Sequence, residues 1–175
     1  MLPHRRFLTP EFLTAVFATS AGFFILGYGA ILLTPKGNAA AAIWPATAFA
    51  ACVILRYARG WAERWVMLAG VLVADLFNNG LGGVTTLMTL GYSLINVLEL
   101  AFALAIVGPT RNLRGANIRK AVLATTRIAL LPPLLGGAVA TLMTWLNGHP
   151  HALTGGLHWF IADSLGFFMI FPLGM

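Results

Sequence analysis

The sequence predicts an all-α fold: a polytopic bundle of about six transmembrane helices with its N-terminus in the cytoplasm. Three observations carry this expectation. Of 175 residues, 59% are hydrophobic and only 9% are charged, against roughly 45–50% and 25% in soluble domains. The mean hydropathy is +0.84, more apolar surface than a chain of this length can hide from water. The basic residues fall between the apolar runs and collect on alternate sides of them.

The formal charge of +6 and isoelectric point near 10.5 would suggest nucleic-acid binding in a soluble chain. Here the Lys and Arg residues report orientation, and no nucleic-acid partner is expected; the expected surroundings are a lipid bilayer. The single cysteine, Cys52, has no intrachain partner and sits in an apolar run, as a small core residue does.

The first span is expected from Phe12 to Leu33. His4, Arg5 and Arg6 precede it, but the apolar run is too long for a signal-peptide core. Thr34-Pro35-Lys36-Gly37-Asn38 is a breaker-rich turn. The second span, Ala39–Leu55, is short, and Ile43-Trp44-Pro45 near its start suggests a broken or re-entrant entry, because proline removes a helical hydrogen bond. Arg56, Arg59 and Arg64 mark the next loop. The third span, Trp65–Phe77, ends in Asn78-Asn79-Gly80. The fourth runs from Gly82 or Gly83 to Val107. Pro109 to Lys120 forms a basic loop. The fifth, Val122–Leu146, contains Arg127 and the kink pair Pro132-Pro133. After His149, Pro150 and His151 the sixth begins near Leu157 and runs to the last residue.

Arg5, Arg6, Arg56, Arg59, Arg64, Arg111, Arg114, Arg119 and Lys120 lie on one side of this arrangement, and only Lys36 on the other. The positive-inside rule puts the richer side in the cytoplasm. The whole of 1–175 is then a single membrane domain. Its last residues, Phe171-Pro172-Leu173-Gly174-Met175, end flush with the membrane, which predicts a truncated product or a longer relative.

Asp75, Glu99 and Asp163 fall inside spans, where a charge costs a few kcal/mol and faces the protein interior. Each has polar company at helical spacing: Asp75 precedes Asn78 and Asn79, Glu99 follows Asn96 and Tyr92, and Asp163 follows Trp159 and His158. The plain alternative is interhelical hydrogen bonding worth about 0.6 kcal/mol each. It suits three acids together poorly, because Arg127 is the only basic residue expected inside a span. A cationic ligand or a proton would complete such a site; no cofactor is named. Trp44 and Trp159 line a pocket or belong to an interfacial belt. His149, His151 and His158 lack a scaffold that would make them a metal site. Gly136-Gly137 reads as close helix packing. No nucleophile–base pair or phosphate loop occurs, so no enzymatic activity is expected.

Four motifs occur in order: Ala42-Ile43-Trp44-Pro45-Ala46; Gly70-Val71-Leu72-Val73-Ala74-Asp75-Leu76; Asn96-Val97-Leu98-Glu99; and Trp159-Phe160-Ile161-Ala162-Asp163-Ser164-Leu165-Gly166, followed by Pro172. Over residues 40–175 the chain resembles the membrane-associated sensor domain, MASE type one, of bacterial signalling proteins, whose pattern runs I-W-P-x-x-G/A, N-x-x-E and W-x-x-D-x-L-G before a proline. The resemblance implies a sensory input module in the bacterial cytoplasmic membrane. It would be followed in a longer relative by a cytoplasmic GGDEF diguanylate cyclase, EAL phosphodiesterase or histidine kinase output, with a second copy of the chain as a candidate partner. Trp44, Pro45, Asn96, Glu99, Trp159, Asp163 and Gly166 would be its family-defining positions, and Asp75 matches less specifically. The chain departs from the family in lacking further helices and an output domain, so alone it would sense or assemble but make no second messenger. A small transporter or substrate-binding membrane subunit, and a scaffold that recruits a partner in the membrane, are the rival expectations.

Overall fold

The structure, a computed structural model, describes residues 9–34, 41–108 and 118–174. Among these residues the fold is wholly helical, with six helices: α1 (Pro10–Leu32), α2 (Pro45–Tyr57), α3 (Trp61–Leu81), α4 (Thr86–Val107), α5 (Ile118–Leu146) and α6 (Ala152–Gly174). Four of them, α1, α4, α5 and α6, are long and apolar enough to cross a membrane. Arg5, Arg6, Lys36, Arg111 and Arg114, with the Pro35–Asn38 part of the expected turn, lie outside the described residues.

Local chemistry sets the ends. Thr9 caps α1 by accepting from the Phe12 backbone N–H at 3.3 Å, with Pro10 in the first turn, where proline loses nothing. The second helix begins at Pro45 and not at Ala39. Residues 41–44 are non-helical because Pro45 forces Trp44 out of the helical region, to φ −120° and ψ 85°. That leaves α2 with 13 residues, a length of about 20 Å and less than a bilayer core. The third helix runs from Trp61 through Asn78, Asn79 and Gly80 to Leu81, longer at both ends than expected. Gly82 and Gly83 stop it, Gly83 at φ +79°, so α4 starts later, at Thr86. At the other end, Arg119 and Lys120 belong to the first turn of α5. That helix carries Pro132 and Pro133 inside it, both buried. The sixth helix starts a turn early, at Ala152.

The helices form a ring in the order α1, α3, α4, α5, α6, α2, closing back on α1, and α2 also reaches across to α4 and α3. Alanine permits this central position. Ala46, Ala48, Ala50 and Ala51 of α2 are completely buried, because small side chains let neighbouring backbones close in from several directions. Glycines serve the same end in the α5–α6 pair, where a Cβ on Gly137 would meet the Gly156 carbonyl at 2.6 Å.

The radial distribution of polarity is the reverse of that in a soluble protein. Large apolar side chains such as Phe17, Phe77, Leu98, Leu134 and Met169 lie exposed on the outer faces, while Asp75, Asn78, Ser93, Asn96, Glu99 and Asp163 are buried. Trp61, Trp65 and Trp145, near helix ends, are exposed, the disposition of an interfacial aromatic belt.

Candidate functional site

The interior acids come from three helices and form two linked groups. In the first, Asn96 Nδ2 of α4 donates to Asp75 Oδ2 of α3 at 2.8 Å. Asn79 Nδ2, one turn beyond Asp75, donates to Ser93 Oγ at 3.2 Å and to the Asp75 carbonyl at 3.1 Å. The Asn96–Asp75 and Asn79–Ser93 bonds cross the α3–α4 contact, and every side chain in them is buried.

The second group joins α4 to α6. Trp159 Nε1 donates to Glu99 Oε1 at 2.8 Å, and the Trp159 ring packs on Tyr92 with centroids 5.2 Å apart. Asp163 is one turn further along α6, so its carboxyl comes beside that of Glu99. Glu99 has no solvent exposure and Asp163 only 2%. Gly136 of α5 makes room: a Cβ there would overlap the Glu99 carboxyl. The sequence had suggested only close packing for Gly136.

The amino end of α2 closes the site. Trp44 N–H donates to the Ala162 carbonyl of α6 at 3.0 Å. A Cβ on Gly166 would collide with the Trp44 carbonyl, so glycine lets the unwound segment lie against α6. Pro45 then starts α2, and Thr47 in its first turn faces Asp163. The Trp44 ring turns inward and meets Phe23 edge-on, centroids 6.3 Å apart. Trp44 and Trp159 are both half-buried, with their rings packed on Phe23 and Tyr92.

Residues from all four motifs thus converge. Trp44 and Pro45 meet Gly166, Asn96 meets Asp75, and Glu99 meets Trp159 and Asp163. Asp75 reaches the Glu99–Asp163 pair through the field it exerts on Asp163 and not as a direct partner.

The charge inventory differs from the expected one. Arg127 is exposed and neutralises none of the acids. Among the described residues the buried cation is Arg64, which the sequence reading assigns to a loop. It is 6% exposed and donates to the carbonyls of Leu104 at 3.1 Å and Gly108 at 3.0 Å. Its guanidinium lies 5.0 Å from the Trp61 ring centroid. It therefore caps the carboxyl end of α4, where a cation suits the helix dipole. His158 is exposed, and no group of three His, Cys, Asp or Glu side chains placed to hold a metal occurs among the described residues.

Among the described residues several buried polar atoms have no hydrogen-bond partner: the acceptors Asp75 Oδ1, Glu99 Oε2, Asp163 Oδ1, Asn96 Oδ1 and Asn78 Oδ1, the hydroxyls of Thr47 and Ser164, and the donors Trp44 Nε1, Asn78 Nδ2 and Arg64 Nε. Buried acceptors without donors are costly, and among these residues no Lys or Arg acts on the Glu99–Asp163 pair. Thr47 and Ser93 were missed by sequence reasoning. Ser93 stands three residues before Asn96, on the same helix face, a signal that was available. Thr47 lies in an alanine-rich run whose entry geometry only the fold discloses.

Comparison with family models, with curated proteins and with solved structures returns no match.

Proposed function

We propose that the chain is a membrane-embedded sensory input domain of bacterial signal transduction. In this reading it spans the cytoplasmic membrane six times with its N-terminus inside, and has no enzymatic activity of its own. Occupancy of an intramembrane ligand or proton site sets the activity of a cytoplasmic diguanylate cyclase, phosphodiesterase or histidine kinase output. The observation that carries the reading is the pair Glu99 and Asp163, two buried carboxyls from different helices, side by side and without a cationic partner. Interhelical glue needs donors opposite acceptors. Two acceptors facing one another need something between them, and whatever fills that place binds α4 to α6. The spatial convergence of the motif residues adds support for the resemblance to the MASE type one family.

The mechanism follows from differential affinity, since a ligand shifts a conformational equilibrium only if it binds one state better. Filling the Glu99–Asp163 gap favours the state in which α4, α6 and the entry of α2 are drawn together. Pro132 and Pro133 in α5 leave the carbonyls of Ile128 and Ala129 without their usual helical donors, giving the partner of α6 a point of bending.

The test joins the chain to a diguanylate cyclase domain in a bacterium otherwise free of cyclic di-GMP. Asp75→Asn, Glu99→Gln and Asp163→Asn are expected to move reporter output several-fold at equal membrane abundance. Unchanged output in all three would end the sensory reading. A small transporter is the second reading, favoured by the unwound segment before α2, since broken helices at mid-depth hold substrates and coupling ions in transporters. Uptake into vesicles, with no effect on an attached output, would select it.

A further inference from the structure

The chemistry of the buried site narrows what can fill it. Glu99 Oε2, Asp163 Oδ1 and Thr47 Oγ1 are oxygen atoms of three side chains on α4, α6 and α2, all at least nine-tenths buried and none with a hydrogen-bond partner. Thr47 faces Asp163, and Asp163 adjoins Glu99. The remaining Glu99 oxygen is already committed to the Trp159 indole. Among the described residues no Lys or Arg acts on either carboxyl. Arg64 is occupied with the carbonyls of Leu104 and Gly108, and Arg127 and His158 are exposed. An anion has no place here, and an apolar ligand would leave every one of these oxygens unpaired.

We propose that Glu99, Asp163 and Thr47 form a binding site for a small monovalent cation of the size class of Na+, which exchanges with a proton. The inference rests on the interior being a ligand site but not on the sensory role. Hard cations take oxygen ligands, and the two carboxyls and the hydroxyl supply them, while Asp75 is held apart by its bond to Asn96. The charge balance agrees. The amino end of α2 lies at Asp163, and its partial positive charge of about half a unit offsets some of the pair's, so that one monovalent cation brings the site near neutrality. The other titratable groups near the pair are Asp75 from α3, acting on Asp163 through space, and Tyr92 of α4, separated from it by the Trp159 ring. From α5 the pair faces Gly136, which has no titratable group.

The experiment uses the purified full chain in detergent micelles. Thermal unfolding is followed against NaCl, with choline chloride holding ionic strength constant. NaCl is expected to raise Tm saturably over choline, by about 4 °C or more at a hundredfold excess over Kd. The half-saturating NaCl concentration should fall as pH rises from 5.5 to 8, because protons compete. Glu99→Gln and Asp163→Asn should each remove the Na+-specific increment. Thr47→Ala, a milder change in an alanine-rich helix, should raise the half-saturating concentration about tenfold. If an acid variant fails to fold, 22Na+ binding to the parent and to Thr47→Ala supplies the same answer. Identical curves in NaCl and choline at every pH would overturn the proposal, as would an increment that survives in the folded acid variants. A Na+ increment in a chain whose fused output ignores Na+ would instead retire only the sensory reading.

Discussion

Trp159 Nε1 donates to Glu99 Oε1 across the α4–α6 contact at 2.8 Å. Trp159→Phe keeps the ring on Tyr92 but deletes the donor. It should destabilise the chain by about 1–3 kcal/mol, the cost of leaving a buried acceptor unpaired. A double-mutant cycle with Glu99→Gln, read by unfolding in detergent, should give a coupling of about 0.5–3 kcal/mol. Additive losses would mean that the two side chains do not act on one another.

Three glycines should rank in a fixed order when replaced by alanine. At Gly166 the new methyl meets the Trp44 backbone, which cannot swing aside, whereas at Gly136 it meets the Glu99 side chain, and at Gly29 it meets nothing. Unfolding temperatures should therefore be lowest for Gly166→Ala and next lowest for Gly136→Ala, with a loss of about 1–3 kcal/mol. Gly29→Ala, in α1, should match or exceed the parent by up to about 1 kcal/mol. A Gly136→Ala protein as stable as the parent would contradict the seating of Glu99 against α5.

Arg64 holds the amino end of α3 to the carboxyl end of α4. Arg64→Ala should cost about 1.5–3 kcal/mol, the range for hydrogen bonds to a charged group. Arg64→Lys should recover only part of it, since an ammonium cannot reproduce a planar fork that spans two carbonyls. Hydrogen exchange at the last turn of α4 is the sensitive readout, and exchange unchanged in Arg64→Ala would rule out the capping role.

The six-span, N-inside arrangement makes its own prediction. Reporters fused after Gly60 should be active as cytoplasmic enzymes, and those fused after Gly83 or Gly148 as external ones. Matching activity at Gly60 and Gly83 would show that α3, whose Glu63, Arg64 and Asp75 set it apart from the four long apolar helices, does not cross.

The helices were legible because apolar runs of sufficient length have few other uses, and the three interior acids because a carboxyl inside such a run calls for explanation. Their boundaries were less legible. Asn78, Asn79 and Gly80 look like a turn in one dimension, yet α3 continues through them because Asn78 and Asn79 are buried and Asn79 is bonded across to Ser93. Arg64 looked like an orientation signal, and only the position of the α4 terminus gives its guanidinium partners. Thr47 was silent for a related reason. Its significance depends on where Pro45 delivers the amino end of α2, and that is decided by the contact between Gly166 and Trp44.

That short central helix touches α6 twice. Its amino end bears on Asp163 through Thr47, and further along Cys52 packs where a Cβ on Gly174 would overlap its sulfur. Thr47 and Cys52 are separated by about 7.5 Å of continuous helix, and a helix this short is stiff along its axis. Under the proposed sensory role, a displacement at the carboxyl pair would be carried by α2, acting as a push-rod, to the last turn of α6 without passing through the bends that Pro172 and the α5 prolines allow.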